Sequence, residues 1–114
     1  MKEITIDGVT YIPKVETDTS GMKYCIVRTY SAGVFAGYLE SQIGQEVTLR
    51  NARRIWSWAG AATLSQLAAS GTSKPGECKF PEPVERITLT QAIEIIECSP
   101  VAIKSIQEVK VWKA

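Results

Sequence analysis

The chain has 114 residues, a net charge of +1, 45% hydrophobic and 22% charged residues. That length holds one domain and is too short for two ordinary ones, and the proportions are globular, not disordered. A charge so near zero argues against a general nucleic-acid binder, and no apolar run approaches the length of a membrane span or a signal-peptide core.

In chain order, residues 1–15 read as a β-hairpin appendage: Ile4 and Ile6 precede the two-residue turn signal Asp7-Gly8, and Val9 and Tyr11 follow in alternation. The polar stretch 16–21 is a linker, so 22–114 forms the main α+β body. Residues 22–29 (MKYCIVRT) alternate as a strand, with Tyr24, Ile26 and Arg28 on one face. A small-residue turn at 30–33 leads into a second strand over 34–40, and Gly44 supplies the next turn. Residues 47–58 return as a long antiparallel partner; if it runs unbroken, Arg50, Ala52, Arg54, Trp56 and Trp58 share a face, and a bulge near Asn51 would redistribute them. Residues 59–70 suit a short helix ended by Gly71, and 72–83, with three of the five prolines, form a loop. Residues 84–98 keep a period of two and read as a strand bent at Thr90-Gln91. Ser99-Pro100 opens a helix to about 107 with Ala102, Ile103 and Ile106 inward, and 109–112 closes the chain as a strand. The expected fold is a small antiparallel sheet with two short helices and the N-terminal hairpin.

The segment 47–58, VTLRNARRIWSW, holds three of the five arginines and two of the three tryptophans. Guanidinium forks beside flat aromatic faces suit a ligand that carries phosphate and a planar base. With no histidine, Ser-His-Asp and Cys-His catalysis and the usual histidine-containing zinc sites fall away. No phosphate-loop or dinucleotide-binding glycine motif is present. Cys25, Cys78 and Cys98 show no metal or redox spacing and read as reduced, buried thiols of a cytoplasmic protein. Glu94 and Glu97 read as solvated carboxylates. These residue types favour binding over catalysis, without cofactor or metal.

The candidate ligand contacts are Arg28, Ser31, Asn51, Arg54, Trp58, Phe80, Thr88 and Thr90. Arg28 lies in an otherwise apolar strand face and needs an anionic partner, either a glutamate across the sheet or a phosphate. Phe80 either plugs the core or walls a pocket. Asn51 has an amide that reads a base edge or ribose hydroxyl, unless it only shapes a bulge. Arg54 is favoured over Arg53, which the alternation leaves at the surface. Ser31, Thr88 and Thr90 offer hydroxyls. The tryptophans are core residues or stacking platforms.

RTYSAGVFAGYLE, RNARRIWSWAGAATLSQLA, CKFPEPVERITLT and the terminal KVWKA together resemble the first-named Thoeris anti-defence family of short phage proteins, or a closely related phage family of unassigned role. The likeness covers residues 23–112. It implies a non-enzymatic sponge that holds a cyclic ADP-ribose isomer intact, in some members with cyclic oligonucleotides at separate sites, and so blocks TIR-dependent immunity in the cytoplasm of the infected bacterium. It also implies a homo-oligomer, a dimer or a hexamer of dimers, with pockets near subunit interfaces. In that reading Arg28 and Arg54 pair with phosphates, Phe80 or Trp58 stacks on adenine, and Asn51, Ser31, Thr88 and Thr90 bond ribose or base edges. The alternative is a phage structural or protein-interaction module with no small-molecule ligand.

Overall fold

The computed structural model describes residues 19–113 and, further upstream, the backbone of strands β1 (Ile4–Ile6) and β2 (Val9–Tyr11). These two pair antiparallel as a separate two-stranded sheet, Ile4 opposite Tyr11 and Ile6 opposite Val9, the register of a two-residue connection. The turn residues Asp7 and Gly8, and the first half of the linker, lie outside the described residues.

The main body is α+β. It contains β3 (Tyr24–Thr29), β4 (Val34–Ile43), β5 (Glu46–Arg54), α1 (Leu64–Ser70), β6 (Val84–Leu89), β7 (Ala92–Glu97) and α2 (Pro100–Glu108). The five strands form one antiparallel sheet in the order β6-β5-β4-β3-β7. Its two edge strands are consecutive in sequence. They are the halves of one strand bent at Thr90-Gln91, as the alternation over 84–98 led us to expect. Leu89 lies opposite Val47 of β5, and Ala92 lies opposite Thr29 of β3. Between them Tyr30 N donates to Gln91 O at 2.9 Å and Ala92 N to Gln45 O at 3.0 Å. The sheet therefore curls until a single strand serves both of its edges.

Curling gives the sheet two covered faces, which is why Tyr24, Cys25, Ile26 and Val27 are all buried in succession. Inside the curl lie Cys25, Val27, Phe35, Val47, Leu49, Ala52, Leu89 and Ala92. On the other face Tyr24, Ile26 and Ala36 pack with Leu67 and Ala68 of α1, Ile106 of α2, and Ile55, Phe80 and Val109 from the connections. Each large side chain so buried contributes about 1.5–3 kcal/mol of apolar transfer free energy.

Three expectations are corrected. β5 stops at Arg54, short of the tryptophans. The helix after it starts only at Leu64, with the Thr63 hydroxyl accepting from Gln66 N as its N-cap. The start at 59 fails because Gly60 has φ 82° and the 59–60 carbonyls bond the Thr72 hydroxyl and Ser73 N instead. Residues 109–112 form no strand: Val111 makes one isolated parallel bridge to Phe80. The second helix keeps its expected cap, Ser99 Oγ accepting from Ala102 N at 3.0 Å, with Ala102 and Ile106 fully buried.

Candidate functional site

A β-bulge decides where the arginines of 47–58 point. Ala36 lies opposite Arg53 and Tyr38 opposite Arg50, so Gly37 alone faces both Asn51 and Ala52. Asn51 takes φ 51°, a left-handed conformation that asparagine tolerates better than most residues. Gly37 is required there because a Cβ would stand 3.0 Å from both Ala52 Cα and Arg50 O. The extra residue reverses the alternation. Ala52 turns into the curl, and Arg53 turns toward α2 and is buried. This overturns the reading of Arg53 as the surface arginine.

The three guanidinium groups have three different fates. Arg50 Nε donates to Glu40 Oε1 at 2.6 Å, and Arg86 holds the same carboxylate through Nε and Nη2. Hydrogen bonds from Arg86 first and Arg50 second lower the Glu40 pKa to about 2. Arg54 Nη1 donates to Ala32 O at 2.6 Å while its guanidinium lies 4.4 Å over the Phe35 ring. Arg53 donates only to carbonyls: Val109 O at 2.6 Å, Phe80 O at 2.9 Å, Ile106 O at 3.1 Å and Pro81 O at 3.4 Å. Two of these close the C-terminal end of α2, where the helix dipole favours a cation. No carboxylate pairs with Arg53 among the described residues, and burial lowers its pKa.

The eight sequence candidates do not converge on one site. Arg28 Nε donates to Glu94 Oε1 at 3.0 Å, so a glutamate across the sheet is its partner in the single chain. Ser31 Oγ donates to Gln91 Oε1 at 2.7 Å beside it, and Thr90 is exposed at the strand bend nearby. Thr88 shares a hydroxyl contact of 3.2 Å with Thr48. Trp58 is half-buried against the helix-side core, its Nε1 donating to Ala61 O at 3.1 Å. Phe80 is fully buried, so it is the core plug and presents no face for stacking. Of the eight, only Asn51 borders the cavity between the sheet and the end of α2.

That cavity, about 530 Å³, lies between the sheet and the C-terminal end of α2. Tyr24, Tyr38, Asn51, Arg53, Gln107 and Val109 are among its lining. The Tyr24 and Tyr38 rings meet edge to face with centroids 4.9 Å apart. Gln107 Nε2 donates to the Tyr38 hydroxyl at 3.0 Å. The Tyr24 hydroxyl is buried and has no hydrogen-bond partner. Burial, reinforced by Cys98, raises its pKa, so it stays a neutral phenol with a proton to give. An orphaned buried hydroxyl costs about 1–3 kcal/mol. The volume falls within the range of small-molecule sites.

The sequence matches the model of a domain of unknown function, DUF6948, over residues 22–106. The chain belongs to the DUF6948 family. No curated protein and no solved structure matches it. The DUF6948 match spans the curled sheet and most of α2 and leaves out the N-terminal hairpin. Within this DUF6948 chain, reasoning from the sequence passed over Tyr24, Tyr38 and Gln107 and ranked Arg53 below Arg54. Tyr24 read as one more residue of an otherwise apolar strand face. The one available signal was Asn51, whose left-handed tendency marks the bulge that turns Arg53 inward. Among the described residues, no three Cys, Asp or Glu side chains gather to hold a metal ion. Nor is any helix among them long and apolar enough to cross a membrane.

Proposed function

We propose that this protein binds a small nucleotide in the cavity between the sheet and α2 and retains it without converting it. One observation carries the reading: Tyr24, whose buried hydroxyl has no hydrogen-bond partner, and Arg53, a buried guanidinium with no carboxylate beside it among the described residues, line the same cavity. A neutral phenol, two side-chain amides and a guanidinium are groups that hold a ligand; none of them exchanges protons readily near neutral pH. The resemblance to the Thoeris anti-defence proteins supplies the candidate ligand, a cyclic ADP-ribose isomer. It also supplies the setting: a phage homo-oligomer acting as a sponge in the cytoplasm of an infected bacterium.

A sponge needs slow release more than fast capture. The test is direct. Purified protein is incubated with cyclic ADP-ribose isomers, freed of excess ligand, denatured by heat, and the released material is separated by chromatography. Intact ligand in near-stoichiometric yield supports the proposal. A converted product would make the protein an enzyme, and no retained nucleotide would end the reading. The second reading, a phage structural or protein-interaction module, is favoured by Tyr30 (77% exposed) and Ile93 (43% exposed) near the Arg28–Glu94 pair. It is distinguished by Tyr30→Ser weakening a protein complex while the protein retains no nucleotide at all.

A further inference from the structure

Among the described residues, Glu40 is the one carboxylate shared by two cations. It accepts from Arg50 Nε at 2.6 Å and from Arg86 Nε and Nη2 at 3.0 and 2.9 Å, whereas Glu94 and Glu97 each hold a single cation. The cluster therefore carries one positive charge that no described carboxylate offsets. We infer that Arg50 and Arg86, braced by Glu40, form a binding site for a phosphoryl anion on the outer face of β5 and β6. Neither arginine lines the cavity beside α2, although Tyr38 opposite Arg50 and Asn51 next to it do.

The strands set the two guanidinium groups side by side. Arg50 lies opposite Arg86 and Thr48 opposite Thr88 with no break in register, so all four share the face turned away from Leu49 and Ile87. Like charges directly opposite each other repel, and one carboxylate offsets only part of that. Glu40 is the extra residue of a second bulge, since Leu39 faces Leu49 and Ser41 faces Thr48. Arg86 grips it side-on, through Nε and one terminal nitrogen, but Arg50 uses Nε alone. The Arg50 side chain is only 27% exposed, yet its Nη1 and Nη2 reach water and have no acceptor among the described residues. Two parallel N–H groups at that end match two oxygens of a phosphate. Arg86 Nη1 is also unbonded, and exposed Thr88 adds a hydroxyl whose one contact is Thr48. Because Glu40 already holds both arginines, an arriving anion has fewer rotamers to order. The other arginines lack this arrangement: Arg28 is matched by Glu94, Arg53 is spent on carbonyls, and Arg54 gives Nη1 to Ala32 O and lines a notch with Glu82.

The experiment is a calorimetric titration of the full chain at fixed ionic strength, with inorganic pyrophosphate and adenosine diphosphate as probes, because a phosphoryl group can arrive free or on a nucleotide. Arg50→Gln removes the fork and leaves the Glu40–Arg86 pair, Arg50→Lys keeps the charge without the fork, and Lys104→Gln removes an exposed charge on α2. We expect pyrophosphate to bind one to one, each Arg50 variant to weaken it about tenfold, and Lys104→Gln to stay within about twofold of the parent. Tighter binding of adenosine diphosphate identifies a nucleotide as the source, and binding no tighter identifies a free phosphate; both agree with the site. Absence of saturable pyrophosphate binding, either Arg50 variant within about twofold of the parent, or an equal loss in Lys104→Gln overturns the inference. The cavity is tested separately, by retained nucleotide, so either reading can fail while the other stands.

Discussion

Replacing Arg53 by methionine tests whether a lone guanidinium locks the end of α2 to the sheet. Its four carbonyl partners are not equally dependent on it. Ile106 O also accepts from Val109 N at 3.3 Å, and Phe80 O also accepts from Trp112 N at 3.0 Å, so both keep a donor after substitution. Pro81 O loses only a long contact of 3.4 Å, but Val109 O, the shortest at 2.6 Å, has no other donor among the described residues and becomes an orphan. Leaving that carbonyl unpaired costs about 1–3 kcal/mol. Removing the guanidinium from its place 5.4 Å from the Phe80 ring adds about 0.5–1 kcal/mol, and relief from burying an unpaired charge offsets part of the sum. The expected loss is about 2–3 kcal/mol, with Arg53→Lys intermediate because an ammonium can reach Val109 O but cannot span to Phe80 O. Urea unfolding followed by tryptophan fluorescence, with an unchanged m-value, measures it. A methionine variant as stable as the parent would refute the argument and make Arg53 a tolerated burial instead of a lock.

Glu40→Gln should remove a pH dependence. The Glu40 pKa is held at about 2, below its ordinary 4.5, so its stabilisation is present above pH 4.5 and is lost as pH falls toward 2. Because Arg86 is largely exposed, the gap between parent and variant should be about 1 kcal/mol or less at pH 7 and should close by pH 2 in acid-unfolding curves. Gly37→Ala should destabilise by about 1–3 kcal/mol, since the new methyl stands 3.0 Å from two backbone atoms of β5 that must shift to admit it; a melting temperature equal to the parent's would count against it. The thiols should be inert in the fold. Cys25 and Cys78 are buried, and burial, with Cys25 adding to it, raises the Cys98 pKa to about 12, so roughly 10⁻⁴ of Cys98 is thiolate at pH 8. Dithionitrobenzoate should label three thiols in denaturant and react with native protein only on the timescale of opening; rapid native labelling would contradict this.

Local chemistry made much of the fold legible. Asp7-Gly8 between alternating runs gave the β1–β2 register, Ser99-Pro100 gave the start of α2, and the unbroken period of two through 84–98, relieved only at Thr90-Gln91, gave a bent strand. The phase of β5 was not legible, because alternation carries its information only while the count is unbroken. One left-handed residue at Asn51 moved Arg53 from one face to the other. A similar slip on β7, where Arg28–Thr29 oppose Glu94 and Ala92, throws Ile93 outward to 43% exposure. The candidate site suffered for the same reason. Arginines were weighed by type, and their partners were found across the sheet: Glu94 for Arg28, Glu40 for Arg50, backbone carbonyls for Arg53. Phe80 illustrates the converse, since its burial depends on α1, α2 and Ile55 arriving over it, a tertiary event that Lys79 and Pro81 on either side do not foretell.

A sheet whose two edges are halves of one strand also sets an order of assembly. β3, β4 and β5 follow one another through short turns and can zip as a meander. The strand that shuts them must pair Thr88 with Thr48 across 40 residues and bring Glu94 to Arg28 across 66. Those contacts repay the entropy of loop closure only once most of the chain is in hand. Folding should therefore be limited by the arrival of 84–97. During synthesis, the inside of the curl should remain open to water until those residues have left the ribosome, and that interval is when the protein is most exposed to aggregation.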